Sequence, residues 1–178
     1  MKVNTYILLI IFCLISSIDF AQTTGNRTVA ITLPVVTLLD IEPAGTITLN
    51  FSAPTEAGQP VTVPASNNTK WINYTSAIAS GGLTRRITAS VNQVIPGLNI
   101  TVQAAAASGS GGGTLGTAGA QVTLTTTAIN IITGIGGAFT GNGANNGHRL
   151  TINLAVSNYA NLNSRTNTPV IITYTITE

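Results

Sequence analysis

Pro169-Val-Ile-Ile-Thr-Tyr-Thr-Ile-Thr-Glu178 closes the chain in period two, with Ile172, Tyr174 and Ile176 on one side and Thr173, Thr175 and Thr177 on the other. Successive side chains of an extended strand point to opposite faces, so this run makes one apolar face and one hydroxylated face. Threonine suits the wet face because its β-branch favours extended backbone. The same alternation recurs upstream in Val29, Ile31 and Leu33, in Ile47, Leu49 and Phe51, and in Leu98, Ile100 and Val102. It appears again in Val122 and Leu124, and in Leu150, Ile152, Leu154 and Val156. No window beyond residue 21 shows the 3.6-residue recurrence of an amphipathic helix. The pattern predicts an all-β protein.

Turn chemistry divides the strands. Pro43-Ala44-Gly45, Pro54 to Pro64, Ser80-Gly81-Gly82, Pro96-Gly97, Ser108 to Gly113, Gly134 to Gly147 and Asn158 to Asn167 are the breaks. Between them the expected strands run over about 28–40, 46–52, 69–76, 84–92, 98–105, 120–126, 128–133, 149–157 and 169–177. Short strands with one apolar face bury that face by packing two sheets together. The expected architecture is therefore an immunoglobulin-like β-sandwich of about eight or nine antiparallel strands, with a jelly roll as the alternative. Pro34 has no donor for a ladder, which marks the first strand as an edge or as one that changes sheets. Trp71, with Ile72 and Tyr74, is the bulkiest apolar cluster and the candidate centre of the core, and Tyr174 is a second core candidate. The glycine-rich stretches Ser108–Gly119 and Gly134–Gly147 read as long loops.

The N-terminus reads as an address. Lys2 is followed by an apolar run from Tyr6 to Ile18, and Ala21 offers a small residue for cleavage, the layout of a secretory signal peptide over residues 1–21. The run is shorter than the roughly 20 residues a membrane-spanning helix needs. Residues 22–178 then form one exported domain, with no membrane span after cleavage. Cys13 is the only cysteine and lies in the signal, so the mature chain has no disulfide, thiolate metal site or cysteine nucleophile.

Composition narrows the function. Only 7% of the 178 residues are charged and 44% are hydrophobic. Seven cations and a net charge of +2 cannot form the basic stripe that neutralises several phosphates, so nucleic acid is not a partner. The mature chain has one histidine, His148, and four acids, Asp40, Glu42, Glu56 and Glu178. His148 follows an Asn/Gly-rich loop and reads as a solvent-exposed loop-end residue, with no nucleophile elbow to serve. Asp40 and Glu42, two apart on a strand, point the same way and read as a solvated strand end. They are weak candidates for calcium binding with loop carbonyls. The glycine clusters lack the helix, acidic partner or lysine of a nucleotide cradle. Arg85 and Arg86 point to opposite faces of a strand and read as solvation or protection of an edge. No cofactor is expected.

The closing strand, the mid-domain Trp71-Ile-Asn-Tyr74, the signal ending Ala21-Gln22 and the scarcity of charge together resemble the subunits of bacterial surface fibres. The resemblance is to the immunoglobulin-like pilins assembled by chaperone and usher, including spore-coat-U-like members, and to exported β-sandwich proteins of Bacteroidetes. Many such pilins carry a disulfide and a tyrosine next to last, whereas this chain has neither, Tyr174 being fifth from the end. The resemblance implies polymerisation by donated strand, with Thr28 to Thr37 entering an open groove of the next subunit through Val29, Ile31 and Leu33. The expected function is a secreted, non-catalytic structural or adhesive protein of the bacterial cell surface, with copies of itself or other surface proteins as partners. The alternative is a glycan-binding, lectin-like module using exposed Tyr74 or Tyr159, assisted by calcium near Asp40 and Glu42.

Overall fold

The computed structural model describes residues 24–178. The expected signal peptide, its cleavage site and Cys13 lie outside the described residues. Pro34–Glu178 forms one compact unit, separate from the N-terminal one that ends at Leu33. Residues 24–33, the described part of the latter, contain no helix or strand.

The larger unit is all-β and antiparallel throughout. Its strands are β1 (Val36–Glu42), β2 (Asn67–Ala77), β3 (Arg85–Val91), β4 (Leu98–Ala104), β5 (Gly112–Ala118), β6 (Val122–Thr123), β7 (Ile129–Phe139), β8 (His148–Val156) and β9 (Ile172–Thr177). One helical turn, Tyr159–Asn161, is capped by the Asn158 side chain accepting from Ala160 N. Among the described residues no helix is long and apolar enough to cross a membrane.

The hydrogen-bonded order is β6-β4-β8-β2-β7-β3-β9, with β1 added to β2 and β5 to β7. The topology turns on β2, which is long enough to change partners along one edge. Residues 67–72 bridge β8, whereas Thr75 and Ser76 bridge Phe139 and Ala138 of β7. The sheet thereby doubles over into two layers, β6-β4-β8-β2-β1 and β5-β7-β3-β9, joined through β2 and β7. The core lies between them. Ile72 and Tyr74 of β2, Val102 and Ala104 of β4, and Leu150 and Ile152 of β8 meet Ile87, Ala89 and Val91 of β3 and Ile131, Ile132 and Ile135 of β7. This is a sandwich-like architecture of the kind the alternation calls for, shown most clearly by β3 and β9, where apolar side chains turn toward the core and the intervening residues are more exposed.

Several boundaries differ from the sequence reading for physical reasons. The first strand begins at Val36, not residue 28, so Pro34 precedes it. The stretch 46–52 keeps its alternation, with Ile47, Leu49 and Phe51 half-buried, yet only Ser52 forms a bridge, to Thr62. The expected loops at 108–119 and 134–147 are partly strand: β5 occupies 112–118 and β7 runs on to Phe139, while 140–147 connects β7 to β8 as a loop. Glycine here permits close backbone approach instead of looping. Gly113 has φ +86, and a Cβ there would overlap Gly137 O on the facing strand, next to an irregularity in the β5–β7 register.

Ile132, fully buried at this junction, tests the packing. Ile132→Ala should lower unfolding free energy by about 2–5 kcal/mol in urea titration, whereas Leu83→Ala at an exposed turn should change it by no more than about 0.5 kcal/mol.

Candidate functional site

Among the described residues two cations, Lys70 and Arg85, are buried, and both hold β1. Arg85 Nη1 donates to Val36 O at 2.6 Å, where β1 begins, and to Ser76 Oγ at 2.9 Å. Lys70 Nζ donates to Gly45 O at 2.8 Å and to Pro43 O, just past the end of β1. A cation taken from water is tolerable only when its donors are satisfied, and here backbone carbonyls do that work. Because the acceptors in β1 and just past its end are main chain, the two cations fasten the strand at both ends whatever its side chains. Arg86 points outward and is exposed, as the opposite-face reading of the doublet requires. The partner role of Arg85 is not solvation of an edge but attachment of one.

The strand so fastened is an outer one. β1 bridges only β2, and β9 bridges only β3, so each has a second edge without a ladder partner among the described residues. β1 and β9 also lie close to one another. Their inward side chains are incompletely covered: Leu39, Ile41, Ile172, Tyr174 and Ile176 pack on the core yet remain half-buried. By contrast, the inward residues of β3 are fully buried. Residues 46–51 behave similarly. Ile47 and Leu49 pack against the core, but no backbone hydrogen bond engages residues 46–51 among the described residues. Thr46, Thr48 and Asn50 are exposed between them, so the stretch keeps a strand's alternation of burial without a ladder.

The candidate polymerisation residues have the complementary character. Val29, Ile31 and Leu33 are 76, 86 and 82% exposed, and Val35 is 60% exposed. The four alternate along a stretch of the sequence that has no strand pairing. Isolated surface hydrophobics are ordinary, but four exposed at every second position of one segment are not.

The other candidates fall in different places. Tyr174 packs on the core from β9, and its hydroxyl is buried with no hydrogen-bond partner among the described residues. Trp71 is half-buried and lies outside the core cluster that its neighbours Ile72 and Tyr74 join. It faces away from them because adjacent strand residues alternate, and it stands between Glu42 of β1 and Arg149 of β8. Asp40 is exposed and Glu42 half-buried on the same face of β1. Among the described residues no group of three or more His, Cys, Asp or Glu could hold a metal ion.

His148 is not at the surface. It is fully buried at the start of β8, with Nδ1 2.8 Å from Ala105 O and Nε2 3.1 Å from the Tyr74 hydroxyl, the two rings stacked at 5.8 Å. The adjacent Gly147 explains the error: at φ +77, its Cβ position would overlap Ile72 O, so the loop dives against β2 and carries His148 inside. Tyr74, expected as an exposed sugar platform, is likewise buried, and its hydroxyl donates to Leu115 O. Tyr159 is exposed, with its hydroxyl accepting from Val61 N at 3.1 Å.

Burial raises the ionisation of both Tyr74 and Tyr174 above the ordinary tyrosine range by desolvating the phenolate. Both hydroxyls therefore stay neutral in the folded chain after they would ionise in the unfolded one. Stability should be at its full value below about pH 10 and fall as pH rises beyond it, because the unfolded state then releases protons the native state keeps. Urea titrations across that range should show the decline, and Tyr174→Phe should make it shallower.

No family model, curated protein or solved structure matches this chain.

Proposed function

We propose that this protein is a secreted, non-catalytic structural subunit of a bacterial surface fibre, and that one copy completes the next by strand donation. The observation that carries the reading is the pairing of an unsatisfied acceptor with an exposed donor. The acceptor is the open edge of β9 and the ladder-less stretch 46–51, both lined by half-buried apolar side chains. The donor is the extended segment bearing Val29, Ile31, Leu33 and Val35.

The physics of the exchange is β-augmentation. An incoming strand supplies main-chain hydrogen bonds along its length, and its alternate side chains fill the incompletely covered core. Burying an aliphatic side chain of this size is worth about 1.5–3 kcal/mol, and together with the new ladder hydrogen bonds this offsets an ordering cost of about 1–2 kcal/mol per residue. The buried, partnerless hydroxyl of Tyr174 gives the inserted strand a further donor to satisfy. The near-absence of charge favours a surface that is covered by neighbours, because burying an uncharged exterior carries little desolvation cost. The surroundings of the titratable groups support the non-catalytic reading: His148 is sealed in the core with its ring nitrogens engaged.

The mature chain should form oligomers that grow with concentration and resist heating in detergent, read by gel electrophoresis and light scattering. Ile31→Asp, at a highly exposed position, should leave folding intact and abolish those oligomers. A mature chain that stays monomeric up to high concentration, or an Ile31→Asp chain that assembles normally, removes the polymer reading.

A further inference from the structure

Asn-Gly occurs twice in this chain, at Asn142-Gly143 and at Asn146-Gly147, and both copies fall in the loop between β7 and β8. Asparagine followed by glycine is the side-chain amide a polypeptide protects least. The next residue's backbone nitrogen reaches the asparagine Cγ and displaces its ammonia, and glycine puts no Cβ in the way. The reaction depends on how free the side-chain amide, the following N–H and the backbone between them are. The two copies differ in all of these.

Asn146 is locked. Its Oδ1 accepts from Ser110 N at 2.9 Å and from Ser110 Oγ at 3.0 Å, and its Nδ2 donates to Asn142 O at 2.8 Å. Its main-chain carbonyl accepts from Asn73 Nδ2 at 2.6 Å. The attacking group would be Gly147 N, which donates to Ser108 O at 2.9 Å. Gly147 is itself buried, where a Cβ would overlap Ile72 O. Ring closure here first requires the side chain to leave Ser110 and the N–H to leave Ser108, which means opening the loop.

Asn142 is free. It is exposed, and its side chain makes no hydrogen bond among the described residues; its one bond is through the main-chain O that Asn146 holds. Gly143 N likewise donates to no main-chain acceptor among the described residues. Gly143 has φ +84, and nothing lies within 4 Å of the position a Cβ would take. The amide, the attacking nitrogen and the room for a ring therefore coincide at this copy.

We propose that Asn142 is a self-modifying site, converted without an enzyme to aspartate and isoaspartate while Asn146 is preserved. Gly143 N gives its proton to hydroxide and bonds to Asn142 Cγ. The Cγ–Nδ2 bond breaks, and the nitrogen leaves as ammonia after taking a proton from water. Water then opens the resulting succinimide. Addition at one carbonyl gives aspartate; addition at the other gives isoaspartate, whose chain runs through Cβ and Cγ. Nothing is oxidised or reduced, and water is the only co-reactant. Either product adds a carboxylate to the open depression that Asn142 and Asp40 line, where no lining residue is a cation. On the isoaspartyl route Asn142 O, the acceptor of Asn146 Nδ2, leaves the main chain as part of that carboxylate. The site lies apart from the strand edges invoked for assembly, so it stands whether or not the chain polymerises.

Peptide mapping by mass spectrometry tests it, on the mature chain aged in buffer and, in parallel, in guanidinium chloride. The readout at each dipeptide is the mass change of NH replaced by O, with isoaspartate distinguished by fragmentation. In the folded chain Asn142 should convert about tenfold or more faster than Asn146, because Asn146 reacts only from a locally opened loop. In denaturant, where both are unlocked, the two rates should agree within about a factor of three. A folded chain in which Asn142 stays intact while the denatured chain converts, or in which both dipeptides convert equally, overturns the proposal. So does a denatured chain that keeps the preference, since the loop would then not be what protects Asn146.

Discussion

Backbone hydrogen bonding is the constraint on which the rest of this structure depends. Every strand needs ladder partners for the main-chain groups it covers, and all nine strands pair within one sheet that doubles over on β2, with β1, β5, β6 and β9 each paired along one edge only among the described residues. The account of function begins where the supply ends, at the second edge of β9 and along residues 46–51. There the side chains alternate as in a paired strand, apolar inward and polar outward, but the main chain stops short of a ladder. An unpaired strand edge is the kind of surface to which another extended segment can add, and the proposed strand donation rests on it.

The sparse charges are placed where they affect that perimeter. Lys70 and Arg85 are spent on main-chain carbonyls at either end of β1, so an outer strand whose only ladder is with β2 among the described residues is nonetheless fixed. With so few ions elsewhere, packing and neutral hydrogen bonds carry the stability. The buried Tyr74–His148 pair illustrates this, linking β2 and β8 to the carbonyls of Leu115 and Ala105. Such a network is stabilising only when fully satisfied, which sets it apart from the orphaned oxygens of Asn73 and Tyr174.

The periodicity of the sequence disclosed the fold class and the approximate positions of most strands, because period two is a direct consequence of strand geometry. Residues 172–176 and 150–154 alternate in the structure as they do on paper. The errors cluster where tertiary context overrides local signals. Glycines at 112–118 and 134–137 read as loops, yet they sit in paired strands because facing glycines let two backbones approach. His148 read as exposed because a polar, glycine-rich loop precedes it; nothing local announces that Gly147 presses the chain against Ile72. Of the candidate functional residues, the alternation of Val29, Ile31 and Leu33 was legible, whereas their exposure was not. Lys70, Arg85 and Asn73 carried no readable signal, since their roles arise from residues between 8 and 73 positions away.

The central claim is that β9 presents an edge waiting for the strand-like segment around Ile31. Hydrogen–deuterium exchange of the mature chain, before and after adding a synthetic peptide of residues 24–35, addresses it directly. The amides of β9 that do not bond β3 should exchange quickly in the monomer and become protected when the peptide is added. Unchanged exchange at β9 in saturating peptide would contradict the account.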